Sequence, residues 1–451
     1  MRVKGSIWCL CLTLLPTLAM TGNEQHSTFS KIPISAPLSL SESGRHLTYA
    51  DGKPFYYVAD TPWQLLASLS LAETKSYIDY RSAQGFTALQ LVATPWSFDD
   101  TAANWDFEGQ IGQSRVNAGG FAPFAFAPNQ EPSTKSVQFD QPIEDYWVHV
   151  DQVLDYMATQ GMAAYFIPLW ASNFSRDVTT NDHRVFGQFV GTRYKTQPNI
   201  IWVLGGDEAK VSLSGYQAMG KGIREVGAKQ LMTMHPRSGR SSSNHLAAGS
   251  TGILDFHSIQ ARGTTEDMLS LITQDHSITP SVPTFLCETW YEHDKMGGVF
   301  GIHQKGSTPA FRAHYWAARL GGGFGEGYGA WTLWLNLFDW ETDIHRNGAS
   351  EIATSMRSIL EKIDWHRLTP APTTLDGLHL AKSSISDTTV GYLEKPMAIP
   401  IDNFQDHTIT WFDPSTGNTI AVKPANSPLI PPDNLQTDSV FILSRNSAKS
   451  L

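Results

Sequence analysis

Short apolar runs and amphipathic stretches alternate along this chain in the manner of a repeating strand-then-helix unit. The sharpest run is Asn199-Ile200-Ile201-Trp202-Val203-Leu204-Gly205-Gly206-Asp207-Glu208. Its apolar part is too short for an independent helix, is rich in β-branched side chains and closes on a Gly pair, which predicts a strand buried on both faces. Further strands are expected at residues 55–59 ending at Asp60, 87–92, 162–168, 231–234 ending in His235, 253–256 ending in His257, 283–288 ending in Glu288, and 328–331. Between them, Ile143, Trp147, Val150, Leu154 and Met157 recur at helical spacing before Gly161, and Ser70 with Glu73 has the capping-box spacing of a helix that closes before Gly85. Other helices are expected around residues 186–194, 216–226, 265–272, 311–320 and 352–363. The Gly-rich stretch from Gly321 to Gly329 lacks phosphate-loop spacing and a Lys, and reads as a turn. Eight strand-then-helix units predict an α/β fold, a (β/α)8 TIM barrel.

The pattern at either end has a period of two. Leu38 to Leu40 and His46 to Tyr49 alternate around Gly44, with a second turn at Asp51-Gly52, which predicts a β-hairpin ahead of the barrel. From about Leu378, short alternating strands at residues 389–393, 408–412, 419–422 and 440–443 predict a small C-terminal antiparallel β-sandwich domain. The expected organisation is a barrel with its hairpin over residues 35–370 and the β-domain over residues 375–451. One connection stands out, from Ala93 to about Gln141, carrying Trp96, Trp105, Phe107, Phe121, Phe124 and Phe126. A loop of that length in a compact domain is usually functional or disordered, and its aromatic content argues for function.

Composition narrows the partners. The net charge is −10 and the basic residues are not clustered, so a polyanion such as nucleic acid is a poor fit. Fourteen Trp and fourteen Tyr suit carbohydrate, because aromatic faces stack on the C–H faces of sugars, although large cores also use aromatics. Residues 1–22 read as an export signal: Arg2 and Lys4, an apolar run from Ile7 to Leu18, then small residues near Ala19 and Thr21. That run is too short to span a membrane, and no later run is long enough, so the expected location is secreted or periplasmic, with no membrane partner. Cys9 and Cys11 would leave with the signal, and Cys287 alone would remain, without an internal disulfide. The mature chain is expected to act as a monomer.

The candidate chemistry lies at the strand ends, where parallel α/β barrels carry their active sites. Asp207 and Glu288 each close a buried strand, and two carboxyls are the minimum equipment for cleaving a glycosidic bond. Asp207 is assigned as acid/base and Glu288 as nucleophile. The plainer alternatives are a helix cap for Asp207, a solvated first-turn residue for its rival Glu208, and a strand-end salt bridge for Glu288. Asp60, His235 and His257 are expected on the same rim, either binding sugar hydroxyls and steadying a catalytic carboxyl or acting as ordinary structural partners. Gln90 on the second strand is grouped with them. Trp63, Trp96, Trp170, Tyr328 and Trp331 are candidate stacking platforms, with a core role the plainer one for Trp63 and Trp331. The rim His and Asp residues lack a paired short-spacing motif, so no metal site is expected, and two carboxyls with water require no cofactor. The competing class is a non-catalytic carbohydrate- or matrix-binding protein on the same scaffold. Amidase or protease activity lacks a Ser-His or Cys-His signature.

Four stretches taken together carry a family resemblance: Asp51-Gly52-Lys53-Pro54-Phe55, Asp60-Thr61-Pro62-Trp63, Arg81 to Phe86, and Asn199 to Asp207. From about residue 35 onward the chain resembles the apiosidase-like glycoside hydrolases, which often carry a C-terminal domain described as collagen-binding. The resemblance implies a barrel with a catalytic Asp at the end of strand four and a catalytic Glu at the end of strand seven, positions that fall on Asp207 and Glu288. It also implies a retaining hydrolase of plant or microbial cell-wall polysaccharide, with pectin-type chains favoured. The long aromatic loop after Val92 is not part of the match.

Overall fold

Eight short strands, nearly all of their residues buried, form the centre of the molecule: β1 (Tyr57–Asp60), β2 (Ala88–Val92), β3 (Ala163–Ile167), β4 (Ile200–Gly205), β5 (Met232–His235), β6 (His257–Gln260), β7 (Thr284–Glu288) and β8 (Gly325–Tyr328). The structure is a computed structural model, and it describes residues 29–95, 115–133, 135–170, 178–207, 213–245, 252–292, 309–334, 337, 339–383, 385–400 and 406–446. The export signal, Trp96, Trp105, Phe107 and Glu208 lie outside the described residues.

The strands are ordered β5-β4-β3-β2-β1-β8-β7-β6, and every neighbouring pair is parallel. The two ends of this sheet meet through isolated bonds. The Asp255 amide donates to Met232 O at 2.8 Å, and Thr233 Oγ1 donates to Phe256 O at 2.8 Å and lies 3.0 Å from Ser258 Oγ. The closure curls the sheet into a barrel. Tyr57, Ala59, Ala88, Val92, Tyr165, Ile201, Val203 and Phe285 pack together in its interior, while the alternate residues Val58, Leu89, Leu91, Phe166, Trp202 and Leu204 pack outward with the helices. Both faces of each strand are therefore dry, which is why the runs are apolar at nearly every position instead of alternating.

The helices are α1 (Leu71–Gln84), α2 (Glu144–Thr159), α3 (Thr180–Tyr194), α4 (Leu213–Glu225), α5 (Thr265–His276), α6 (Pro309–Leu320) and a last helical run over residues 347–360 with a π segment at Glu351–Met356. The Ser70–Glu73 capping box opens α1, and Gly85 ends it at φ 103°, where a Cβ would stand 2.6 Å from Ala353 O. No helix among the described residues is long and apolar enough to cross a membrane.

Two strands differ from their expected positions. The sixth is His257–Gln260, whereas the apolar stretch at residues 253–256 is an irregular approach whose Leu254 and Phe256 are buried in two different clusters. His257 therefore begins the strand and stands at the end of the barrel away from the carboxyl-end rim. The eighth is Gly325–Tyr328, inside the stretch expected to be a turn. Its glycines fill a place where side chains do not fit: a Cβ on Gly325 would lie 2.8 Å from Tyr57 O, and one on Gly327 would lie 2.7 Å from Gln90 Nε2.

Ahead of the barrel, residues 39–40, 47–48 and 54–55 form a three-stranded antiparallel sheet, the expected hairpin with one strand added. After it, β9 (Thr369–Ala371), β10 (Leu378–Ser383), β11 (Thr388–Leu393), β12 (His407–Phe412), β13 (Thr419–Pro424) and β14 (Ser439–Arg445) make one antiparallel sheet in the order β9-β10-β11-β14-β12-β13. One face, with Val390, Tyr392, Val440 and Ile442, joins the hydrophobic core that surrounds the barrel. The other, with Ile409, Trp411, Phe441 and Leu443, is covered by Ile399, Leu429 and Leu435 from the connecting loops. At the seam with the barrel, Arg312 of α6 forms a two-pronged ion pair with Asp438 at 2.7 and 2.8 Å, and Trp316 stacks on Tyr392 with an interplanar angle of 6°.

Candidate active site

Strand β4 ends in a tight turn that delivers Asp207. Gly205, Gly206 and Asp207 all take left-handed φ values, 87°, 126° and 47°. A Cβ on Gly206 would stand 2.6 Å from the Trp170 ring, and one on Gly205 would stand 2.9 Å from His235 O. The glycine pair is thus required by both torsion and space, and Asp is among the few residues that tolerate the position after it.

Strand β7 reaches the same place by a different device. Phe285 and Cys287 pack inside the barrel and Leu286 packs outside, so strict alternation would turn Glu288 outward. A bulge prevents this: Ile259 pairs with Leu286 and Gln260 pairs with Glu288, which leaves Cys287 as an extra residue. Glu288 is consequently 3 % exposed, with Oε2 lying 3.2 Å from His235 Nε2 and Oε1 ion-paired to Arg262. His235 closes β5, and Arg262 stands two residues past the end of β6. The Arg262 guanidinium lies 4.9 Å from the centre of the Tyr291 ring, and the Tyr291 hydroxyl accepts a hydrogen bond from Trp63 Nε1 at 3.0 Å. Trp63 and Trp170 each pack with ring centres 5.3 Å from that of His235.

These neighbours drive the two carboxyls apart. Burial works against ionisation of Glu288, but the charge of Arg262 and the hydrogen bond and charge of His235 outweigh it and hold its pKa at about 2. Among the described residues Asp207 has no such clamp. Burial, then the negative charge of Glu288, push its pKa up to about 6, against weaker opposing effects of His235, Arg262 and a hydrogen bond from Gln260. Burial disfavours a charge on His235 too, but Cys287 and Glu288 beside it raise its pKa well above the ordinary value. One carboxyl is thereby kept ionised and the other kept protonated into mildly acidic solution, the pairing that acid-assisted displacement at an acetal carbon requires.

The other candidates divide. His235, Trp63 and Trp170 gather around the two carboxyls, where they form packed walls and not open platforms. Trp331, also buried, packs against Tyr291 and the half-buried Trp334. Asp60 does not reach the rim. It is fully buried, with Arg81 Nε donating to it at 2.6 Å, Tyr77 hydrogen-bonded to the same oxygen, and the Thr61 amide donating to the other oxygen at 2.9 Å. Gln90 is likewise internal, its Nε2 donating to Thr61 Oγ1 at 2.7 Å and to Cys287 O at 2.8 Å. Tyr328 donates its hydroxyl to Glu292 at 2.6 Å and exposes no face for stacking. His257 faces Asp275 at 3.7 Å at the far end of the barrel. Those four buried side chains are all engaged by protein partners. Trp96 falls outside the described residues. Arg262, Gln260 and Tyr291 complete the cluster without having been singled out in the sequence; a sixth strand placed at His257–Gln260 would have put Gln260 and Arg262 at a strand end.

Comparison with known proteins bears on the family and the fold. Residues 41–367 match the family model described as apiosidase-like, catalytic domain. No curated protein matches the chain. Among solved structures, one described as a glycoside hydrolase superposes with a TM-score of 0.72 at 19% identity, covering 94% of this chain and 99% of that one. A glycoside hydrolase family 5 protein from Bacteroides vulgatus gives 0.73 at 19% identity, over 93% and 96% of the two chains. A β-L-arabinopyranosidase from Geobacillus stearothermophilus gives 0.51 at 9% identity, over 87% and 97%. At these identities the structural likeness concerns the fold.

Proposed function

The chain belongs to the apiosidase-like family of glycoside hydrolases, and from that premise we propose an exported enzyme that cleaves a plant or microbial cell-wall polysaccharide, pectin-type chains above all, by a retaining mechanism. The observation that carries this reading is the contrast between the two strand-end carboxyls. Glu288, held ionised by Arg262 and His235, attacks the anomeric carbon and forms a covalent glycosyl ester. Asp207, protonated through burial and the charge of Glu288, gives its proton to the departing oxygen. It then takes one from the water that hydrolyses the ester. Neutralising the ester carboxyl removes the charge that raised the pKa of Asp207, so the acid of the first step becomes a readier base for the second. The apolar run after Arg2 and Lys4 supports export.

The test is hydrolysis of a panel of pectic, arabinan and other wall polysaccharides, with the anomeric form of the first product read by NMR. The parent should release sugar from at least one pectic chain with retention. Asp207→Asn and Glu288→Gln should fold like the parent and hydrolyse roughly a hundredfold or more slowly. Near-parent activity in either variant removes that residue from the scheme, and an inverted first product removes the double displacement.

A further inference from the structure

Gln260 is the last residue of β6 and the Cα partner of Glu288 across the bulge. Its backbone is held from the other side as well: Arg240 pairs with it on an antiparallel strand, and its carbonyl accepts from the Gly239 amide at 2.8 Å. The side chain is 3 % exposed. It lies close enough to the Asp207 carboxyl to favour that group's ionised form, an effect that its Nε2 end, the amide's only donor, exerts. Its Oε1 has no hydrogen-bond partner among the described residues. Buried side-chain carbonyls are ordinarily paired, so an unpaired one on a residue that pairs with Glu288 and acts on Asp207 marks a place where a ligand supplies the missing donor.

We propose that Gln260 positions both partners of the reaction: Nε2 orients the Asp207 carboxyl, and Oε1 accepts a hydrogen bond from a hydroxyl of the sugar whose bond is cleaved. This deepens the glycosidase reading and rests on it. The geometry favours a sugar hydroxyl because the oxygen belongs to the residue paired with Glu288, the group that bonds to that same sugar. The Nε2 contact has its own consequence. Among the groups facing Asp207, Glu288 favours its protonated form, whereas His235 and Arg262 favour the ionised form together with Gln260; Tyr291, beside Arg262, senses the Asp207 charge in turn. Gln260 thus limits how far the acid can be raised and keeps it able to act as a base.

The experiment uses Gln260→Met, which keeps length and shape without donor or acceptor, and Gln260→Glu, which keeps an acceptor but loses the donor. The Asp207 carboxyl is titrated by carbon-13 NMR in the full chain without substrate, and its midpoint should rise in both variants. An unchanged midpoint in either folded variant overturns the Nε2 contact. On the aryl glycoside that the parent hydrolyses fastest, Gln260→Met should lower kcat/KM roughly tenfold to a hundredfold. One monodeoxy counterpart of that glycoside should show almost no difference between parent and variant. Equal losses on every monodeoxy counterpart overturn the Oε1 contact. A parent that hydrolyses no glycoside overturns the proposed function instead, while the titration still reads the Asp207–Gln260 pair.

Discussion

Asp207 sits in a left-handed backbone conformation with a carboxyl whose ionisation burial and Glu288 disfavour, and both features work against the folded state at neutral pH. The sign follows from proton binding. With a folded pKa of about 6 against an ordinary 3.8, the native chain keeps a proton that the unfolded chain has released, so stability falls as pH rises across that interval and stays reduced above it. Asp207→Asn, inactive as an acid, should therefore be more stable than the parent at pH 7, by about 1–3 kcal/mol, with the gap closing near pH 3.5. Urea unfolding at the two pH values checks this; a less stable variant at pH 7 would contradict the raised pKa. Glu288 acts in the opposite sense, contributing stability that is full above about 4.5 and lost as pH falls from there through about 2. Activity should fall about tenfold per pH unit above roughly 6 as Asp207 loses its proton. That both carboxyls close barrel strands was legible because an apolar run closed by an acid is a local pattern. The partners that set their charge were not, since Arg262 and His235 approach Glu288 from other strands. The same reason hid the surroundings of Asp60, Gln90 and Tyr328: their partners Arg81, Cys287 and Glu292 are distant in sequence.

Elements whose signal was local were placed well. The capping box at Ser70 and Glu73, the Gly85 stop and the period of α2 all appear within a residue or two of expectation. Strands six and eight were displaced for opposite reasons. Residues 253–256 look like a strand but pack as a loop, and Gly325–Tyr328 looks like a turn but must be a strand because only glycines fit against Tyr57 and Gln90. The crowding makes a prediction at this scale. Gly327→Ala would drive a methyl into the Cys287 carbonyl and Gln90 Nε2. It should cost about 1–3 kcal/mol in denaturant unfolding and should slow hydrolysis by disturbing the bulge that aims Glu288. Unchanged stability would mean that β7 and β8 can separate more easily than their packing indicates.

The appended sheet is joined to the barrel as a core layer. Arg312 and Asp438 are buried together, with Glu351 also on the guanidinium at 2.8 Å and the Tyr392 hydroxyl donating to Asp438 at 2.9 Å. Removing one member of such a group leaves a buried charge short of a partner, so Asp438→Ala should cost about 3–5 kcal/mol, measurable as a fall in the urea midpoint. A loss below about 1 kcal/mol would show that the seam is wet and loosely docked. Alternation indicated a β-domain here but not which of its faces would lie against the barrel, because a strand pattern does not say what covers it. The family match stops at residue 367, just ahead of this sheet. For anyone wishing to shorten the polypeptide, the limit of chemistry and the limit of foldability thus fall in different places. A version stopped there would keep both Asp207 and Glu288 yet leave Trp316 and its oily surroundings facing solvent, and recovering it in soluble form would require rebuilding that surface with polar residues.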